Sequence, residues 1–284
     1  MTTSSIDAAV RLRSGPVDLT AIETDAAPGF DGKKVDGKAA LEAMGEELAD
    51  LQERLWAERT VGSPRRILLV LQGMDTSGKG GVLRSTIGLV DPQGVHITSF
   101  KAPTEEELAH DFLWRIEKAV PPAGFIGVFD RSHYEDVLIA RVRGFAEPEE
   151  IERRYGAIND FEARLADDGV TIIKCMLHLS ADEQKARLQE RLDNPEKHWK
   201  YNTGDLDERA HWQAYREAYE IALERTHTEV APWHVVPADK KWFRNLAVGQ
   251  LLLDTLRGLD LTWPVADFDV EAEKARLAEQ SPVR

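Results

Sequence analysis

Glycines, a lysine and an aspartate stand together near residue 75 at a spacing suited to binding phosphate. Residues 73–80 read Gly-Met-Asp-Thr-Ser-Gly-Lys-Gly, which follows G-x-x-x-x-G-K-[ST] except that Gly80 replaces the final Ser or Thr. In the usual loop of this kind, backbone amides and the lysine hold the phosphates, while the hydroxyl ligates Mg²⁺. Here that hydroxyl is missing and Asp75 lies inside the loop. The pattern predicts Mg²⁺-dependent handling of polyphosphorylated substrates, held differently than in a common ATPase.

The residues on either side of this loop support a phosphate site. Ile67–Leu71 is a continuous apolar run, as expected for a parallel strand buried on both faces. After Lys79, apolar residues recur at helical spacing, so that a helix N-terminus would face the phosphates. The alternative, a glycine-rich turn with a lysine reaching solvent, does not explain glycines and a lysine between a buried strand and a helix. The loop residues predicted to contact phosphate are Gly73, Met74, Thr76, Ser77, Gly78, Lys79, Gly80 and Gly81.

A second acidic residue ends another apolar run. Phe125–Phe129 is followed by Asp130 and Arg131, and active sites of parallel sheets lie at the carboxyl ends of the strands. The pattern is typical of a Walker B segment, which predicts that Asp130 holds Mg²⁺ and that Arg131 presents its planar fork to a phosphate. The alternative for Arg131 is a salt bridge to a neighbouring carboxylate. His133 is interpreted as a packing or hydrogen-bonding residue, not as a phosphoryl carrier.

A basic segment follows the fourth predicted strand. Arg187 and Arg191 lie four residues apart and share one helical face, and Lys197 and Lys200 follow a proline. Such a segment could deliver charge to a transferring phosphate, so residues 184–204 are predicted to form a lid. The alternative is that this segment is a solvent-exposed amphipathic face, on which the acidic residues Glu190, Asp193 and Glu196 lie among the basic ones.

Other basic residues could line a groove for a long anion. Lys101, in the loop after the second predicted strand, is included among the predicted phosphate contacts. The sequence does not separate groove residues from surface charge among Arg115, Arg141, Arg143, Arg153 and Arg154.

Five predicted strands alternate with helices, which favours an α/β fold with a parallel sheet covered on both faces. The strands are Ile67–Leu71, Val95–Phe100, Phe125–Phe129, Thr171–Leu179 and Trp233–Val236. A helix is predicted from Lys38, another from the capping box at Thr104 through Ile116, a third from Pro148 to about Leu165, and a fourth from Ser180 through about Leu192. We expect a loose arm over residues 1–32, one three-layer domain over 33–263 and a tail over 264–284.

Composition excludes several classes of protein. Apolar residues make up 42% and charged residues 30% of the 284 positions, which are globular values. The net charge of −14 argues against broad nucleic-acid or membrane-surface binding. No run approaches the ~18 apolar residues of a membrane span. The single cysteine, Cys175, lies in an apolar run and is interpreted as core, and a cytoplasmic location is expected.

With these motifs together, the chain resembles the polyphosphate kinase 2 family over about Lys33 to Trp263. The resemblance rests on Gly73–Gly81, on Asp130–Tyr134 and on the stretch from Arg187 to Lys200. It implies a P-loop kinase fold similar to that of thymidylate kinase, a homodimer or homotetramer, and Mg²⁺-dependent transfer of terminal phosphates between inorganic polyphosphate and nucleotides. It also implies catalytic roles by matching position: Asp75 and Asp130 as Mg²⁺ ligands, Lys79 and Arg131 at the transferring phosphate, and Arg187 and Arg191 closing from the lid.

The acceptor is expected to be AMP, ADP or both, with guanine nucleotides left open. Its attacking phosphate oxygen is already anionic, so no general base is required and direct in-line, reversible transfer is expected. One alternative is an ATP-dependent nucleoside monophosphate kinase, against which Gly80 and Asp75 argue. Another is a nucleotide-binding regulatory module that does not turn over.

Overall fold

Five parallel strands form the centre of the molecule. The computed structural model describes residues 5–280. The strands are β1 (Arg66–Gln72), β2 (Val95–Ser99), β3 (Ile126–Asp130), β4 (Val170–His178) and β5 (Trp233–Pro237). Every predicted strand is present with ends shifted by at most one residue. The sheet has the order β2-β3-β1-β4-β5, and all neighbours are parallel.

Helices cover both faces of this sheet, which confirms the predicted three-layer α/β/α class. The helices are α1 (Ser5–Val10), α2 (Lys34–Ala43), α3 (Gly45–Glu58), α4 (Lys79–Ser85), α5 (Glu105–Leu108), α6 (Trp114–Ala119), α7 (Ile139–Val142), α8 (Pro148–Asp167), α9 (Ala181–Asp193), α10 (Gly204–Arg209), α11 (Trp212–Thr226), α12 (Lys241–Gly258) and α13 (Val270–Ala278). One buried cluster packs α2, α3, α4 and α12 on one face of the sheet, and a second packs α6, α8 and α11 on the other.

The register of β1 against β3 brings the two predicted motifs to one edge of the sheet. Leu71, just before the glycine loop, lies opposite Asp130. All residues of β1 after Arg66 are buried, as the continuous apolar run predicts for a central strand. The loop after β1 and the turn after β3 therefore start side by side.

Two of the predicted helices are broken. The helix expected from Lys38 divides into α2 and α3 around Met44, where Gly45 follows and weakens helix continuation. The helix expected from Thr104 to Ile116 has the predicted capping box but ends at Leu108. Before α6, the Asp111 side chain accepts a hydrogen bond from the Leu113 amide at 3.0 Å, a local alternative to helical bonding.

The N-terminal segment differs from the loose arm expected over residues 1–32. Ile6, Val10 and Leu19 are buried, and Arg11 forms an antiparallel bridge with His234 at the outer edge of β5. Residues 1–4 lie outside the described part of the chain. At the other end, α13 has no buried residue, and residues 281–284 are likewise not described. Over residues 5–280 no helix is long and apolar enough to cross a membrane.

Candidate active site

The glycine loop, residues 73–80, connects the end of β1 to the start of α4. Lys79 opens α4 and its Nζ donates to the Gly73 carbonyl oxygen at 2.9 Å. Gly73 and Gly78 have φ angles of 151° and 106°, a region that favours glycine. Thr76 adopts a positive φ of 64°, unusual for a residue with a β-branched side chain. The loop therefore has the special backbone that the sequence pattern predicts.

The turn after β3 places Arg131 against the loop. Its backbone has a φ of 63°, and its amide donates to the Leu71 carbonyl oxygen at 3.1 Å. Its Nη2 lies 2.7 Å from Asp75 Oδ1. Beside it, the Ser99 hydroxyl lies 3.5 Å from Asp130 Oδ2. The structure thus brings Asp75, Asp130, Arg131 and Lys79 together, and Arg131 makes the salt bridge that the sequence left as an alternative.

The charges of these groups influence one another. Burial, and then the positive charge of Arg131, lower the pKa of the Lys79 ammonium, while Asp130 and Asp75 act in the opposite direction. Burial also disfavours the charged form of Arg131, but Glu135 and Asp75 outweigh it and the pKa of Arg131 is raised. The site is therefore an array of neighbouring acidic and basic side chains that shift one another's pKa values.

Glu135 belongs to this array and was not identified from the sequence. It lies in the 3-10 helix His133–Asp136 that follows Arg131. Burial raises the pKa of its carboxyl, and the nearby Arg131 and Lys79 partly offset that effect. The sequence did contain a signal for Glu135: it lies four residues after Arg131, in the turn after β3, and this turn lies at the carboxyl edge of the sheet.

Arg187 lies beneath the loop, which corrects its predicted place on a lid. It is 6% exposed, and its five N–H groups donate to protein atoms. Nη1 reaches the carbonyl oxygens of Thr76 and Ser77 at 2.9 and 3.1 Å, and Nη2 reaches those of Ala238 and Asp239 at 2.6 and 3.0 Å. Because all donors of its guanidinium are used, Arg187 holds the loop backbone instead of reaching over it.

The remaining predicted lid residues are held by protein contacts. Arg191 Nη1 donates to the Lys200 carbonyl oxygen at 2.9 Å and pairs with Asp205 at 3.2 Å. Lys197 pairs with Glu190. The ammonium of Lys200 lies 4.9 Å from the ring centre of Trp199. These contacts fasten α9 to the segment that follows it, and the contribution of Arg191, Lys197 and Lys200 to phosphate binding stays a prediction.

Lys101 lines an open groove beside β2, which has a volume of about 630 Å³ and also includes Ser99. The contribution of Lys101 to phosphate binding stays a prediction. Its carbonyl oxygen accepts a hydrogen bond from Arg115 at 2.9 Å. Four of the arginines that the sequence left unassigned form ion pairs with carboxylates, namely Arg115, Arg143, Arg153 and Arg154.

A cavity of about 250 Å³ opens between the loop and the segment from Asn202 to Tyr219. Asp75, Arg131 and Glu135 line one side of it, and Arg209 and Tyr215 line the other. This cavity and the adjoining loop form one polar site at the carboxyl edge of the sheet, where ligands of open α/β sheets bind.

The carboxylates of this site suit a magnesium ion held partly by its substrate. Within residues 5–280 no group of three or more acidic, histidine or cysteine side chains is arranged as a complete metal site. Mg²⁺ commonly binds through one or two carboxylates together with waters and substrate phosphates. Asp75 in the loop and Asp130 beside it are two such carboxylates. The residues present therefore fit a magnesium ion that binds together with a phosphate chain.

His133 supports the turn from behind, as interpreted from the sequence. It is buried, and its Nε2 lies 3.2 Å from Glu162 Oε1. Glu162 in turn pairs with Lys174 at 2.6 Å and accepts from the Tyr134 hydroxyl at 2.7 Å. This buried network ties the turn after β3 to α8 and β4.

A sequence profile described as "Polyphosphate kinase 2 (PPK2)" matches residues 32–262. The chain belongs to the polyphosphate kinase 2 family. The crystal structure of polyphosphate kinase 2 from Arthrobacter aurescens TC1 is similar with a TM-score of 0.95 and 59% identity, over 98% of each chain. Two curated relatives cover most of the chain as well. An AMP/ADP-polyphosphate phosphotransferase of Meiothermus ruber is 47% identical over 88% of this chain and 92% of its own length.

The second of these polyphosphate kinase 2 relatives is an ADP-polyphosphate phosphotransferase of Rhodopseudomonas palustris. It is 40% identical over 87% of this chain and 88% of its own length. The region matched by the profile includes both the glycine loop and the turn after β3, so the family assignment and the site geometry concern the same residues.

Proposed function

We propose that this chain is a polyphosphate-dependent nucleotide kinase. It transfers a terminal phosphate between inorganic polyphosphate and AMP or ADP, reversibly, because one phosphoanhydride is exchanged for another. The observation that carries the proposal is a glycine loop with Asp75 in it and Gly80 at its end, beside Asp130 and Arg131, in a chain of the polyphosphate kinase 2 family.

The main barrier to this reaction is repulsion between two anions. Lys79 in the loop and Arg131 beside it supply positive charge to the phosphates, where fixed charges stabilise a phosphoryl transition state. The acceptor oxygen needs no general base because it is already ionised. We therefore infer direct in-line transfer without a phosphoenzyme, and the burial of His133 against Glu162 argues against a role as carrier.

Mg²⁺ is proposed as the cofactor, with Asp75 and Asp130 as its protein ligands. When bound, the ion would neutralise part of the phosphate charge. For this, Asp75 must release at least part of its pair with Arg131, which frees the guanidinium for a phosphate oxygen at the same time. The 2.7 Å pair thus connects metal binding with phosphate binding.

The relatives' names guide the choice of acceptor. The Meiothermus ruber protein is named for both AMP and ADP and the Rhodopseudomonas palustris protein for ADP alone. The higher identity to the former supports acceptance of both nucleotides here. Use of guanine nucleotides, assembly as a homodimer or homotetramer, a cytoplasmic location and a lack of nucleic-acid and membrane binding stay predictions from the sequence.

The decisive experiment supplies ADP, long-chain polyphosphate and Mg²⁺ without ATP. Accumulation of ATP is expected, and AMP in place of ADP should give ADP. Lys79→Ala should lose ~10²-fold or more in kcat/KM because a transition-state charge is removed. Lys274→Ala, on exposed α13, is the matched control and should keep wild-type rates.

Other outcomes point to the alternatives. No ATP from polyphosphate, but ADP formation from ATP and AMP, would identify an ATP-dependent monophosphate kinase instead. Nucleotide binding without turnover in either assay would identify a regulatory module.

A further inference from the structure

A second buried arginine lies under the glycine loop. The Ser77 carbonyl oxygen accepts hydrogen bonds from two guanidinium groups, Arg187 Nη1 and Arg244 Nη1, each at 3.1 Å. Arg244 belongs to α12 and is 3% exposed. Its Nε and Nη2 donate to Asn245 Oδ1 at 3.1 and 2.8 Å. The guanidinium is therefore fixed in place beneath the Ser77–Gly78 peptide.

Two glycines of the loop make room for this side chain. A Cβ atom on Gly78 would lie 1.7 Å from Arg244 Nη1, and one on Gly81 would lie 2.4 Å from Arg244 Nη2. By contrast, a Cβ on Gly80 would meet no atom within 4 Å. Gly81, unlike Gly78, has no positive φ, and the three atoms nearest to its added Cβ all belong to Arg244.

The positive charge of Arg244 has no acidic partner in the described part of the chain. Within residues 5–280 Arg244 forms no ion pair, whereas Arg187 beside it pairs with Glu183 at 2.7 Å. Burial, and then the charge of Arg187, lower the pKa of Arg244 to about 10, so it stays protonated at neutral pH. An uncompensated buried cation is costly unless a bound anion compensates it.

We propose that Arg244 is a positioning residue of the phosphate site: it fixes the Ser77–Gly78 peptide from below and supplies a charge that the bound polyphosphate compensates. It lies behind the loop backbone and acts on the substrate through it. The inference rests on the function proposed above for its substrate class, since inorganic polyphosphate is the anion in question.

The first test is a double-mutant cycle between Gly81→Ala and Arg244→Gln. Gly81→Ala should lower the melting temperature of the protein without added ligand, because the new methyl group meets Nη2. In the Arg244→Gln background, Gly81→Ala should lower the melting temperature by clearly less, because the guanidinium that the methyl group meets is absent. Gly80→Ala, which points into open space, controls for a Gly-to-Ala change in the same loop and should show no such coupling. Equal effects of Gly81→Ala in both backgrounds would contradict the proposed contact.

The second test separates positioning from a purely structural role. Arg244→Gln should weaken binding of tripolyphosphate in calorimetry, and lower kcat, by about tenfold or more, as expected for loss of a charge-assisted bond. Arg244→Lys should recover part of the binding, because it restores the charge without the fork. Arg257→Gln, exposed on the same helix and paired with Glu47, is the matched control and should leave both quantities unchanged.

Unchanged binding and kcat in both Arg244 variants would overturn the proposal. If Arg244→Gln does not fold, Arg244→Lys alone decides on the same readouts. Failure of the proposed function is distinguishable: the wild-type chain would then make no ATP from polyphosphate, while calorimetry and the melting-temperature cycle would still report on Arg244.

Discussion

Arg131 Nη2 donates to Asp75 Oδ1 at 2.7 Å, so the arginine expected to hold phosphate and the carboxylate expected to hold Mg²⁺ engage each other. Arg131 occupies the carboxylate that Mg²⁺ is expected to need, and Asp75 occupies the guanidinium that a phosphate is expected to need. This pairing holds the Arg131 side chain against the loop that carries Asp75. Under the function proposed above, binding of the metal by Asp75 would release Arg131 for phosphate.

The role of Asp75 can be tested with Asp75→Asn. This change removes the charge that would attract Mg²⁺ and the partner of Arg131. We expect kcat/KM to fall by ~10²-fold or more, with a higher Mg²⁺ concentration needed for half-maximal rate. Steady-state rates over a Mg²⁺ titration measure both. Glu271→Gln, an exposed acid-to-amide change on α13, should behave as wild type. An unaltered Mg²⁺ dependence in Asp75→Asn would show that the metal is organised elsewhere.

Glu135 gives a prediction about stability and pH. Burial raises the pKa of its carboxyl, so the folded protein favours the protonated acid more than the unfolded chain does. The stability contributed by protonation is complete below the unfolded pKa and is lost as pH rises through the folded pKa. Near neutral pH the ionised carboxylate is therefore a cost to the fold.

Glu135→Gln should consequently be more stable than wild type at pH 8, and this advantage should shrink toward pH 4. Thermal unfolding across that range measures the difference. At the same time kcat/KM should fall by about tenfold or more, because Arg131 loses a carboxylate that orients it. Glu279→Gln, an exposed change near the C-terminus, provides the comparison. A Glu135→Gln advantage that grows on acidification would contradict the expected sign.

The Glu162–Lys174 pair gives a prediction about the core. Both side chains are almost fully buried, at 1% and 0% exposure, and lie 2.6 Å apart. Lys174→Met should lower the free energy of unfolding by about 3–5 kcal/mol, because it leaves a buried carboxylate without its cation. Chemical denaturation measures the loss, and Lys185→Met on the exposed side of α9 is the control. Adding Glu162→Gln to Lys174→Met should restore part of the stability; a double variant weaker than Lys174→Met would refute this account.

Cys175 gives a prediction about reactivity. It lies in strand β4 and is fully buried, and burial, with a smaller effect of Asp7, raises the pKa of its thiol well above the ordinary value. A disulfide reagent should therefore label the native protein ~10³-fold or more slowly than the denatured chain, since labelling requires opening of the core. Ala278→Cys, exposed on α13, should react at once. Rapid labelling of Cys175 in native protein would contradict its place in the core.

The parts of the structure encoded locally were predictable from sequence. The strand ends were right to within one residue because the strands are short segments rich in apolar and β-branched residues. The glycine loop and Asp130 were recognisable because phosphate-binding motifs use fixed residue types at fixed spacing. Parallel strands then had to bring them to the same edge of the sheet.

The contacts of the arginines were not predictable in this way. Arg187 lies on a helix face identified correctly by spacing, but spacing does not tell whether that face meets solvent, substrate or the underside of the loop. Arg244 stands 167 residues after Ser77, in a helix with no motif of its own. The packing of the N-terminal segment was not predicted either, because its apolar residues, among them the buried Ile6, Val10 and Leu19, follow no clear period.

That N-terminal packing has a consequence for how the chain resists aggregation. β5 is the last strand of the sheet, and its outer edge would present unpaired backbone groups to other molecules. The bridge between Arg11 and His234, together with the hydrogen bond from the Leu12 amide to the Trp233 carbonyl oxygen at 2.9 Å, caps part of that edge. A shortened chain that begins at residue 32, where the family match starts, would keep the predicted catalytic residues. It would also expose the edge of β5, which could then pair with the same strand of another molecule.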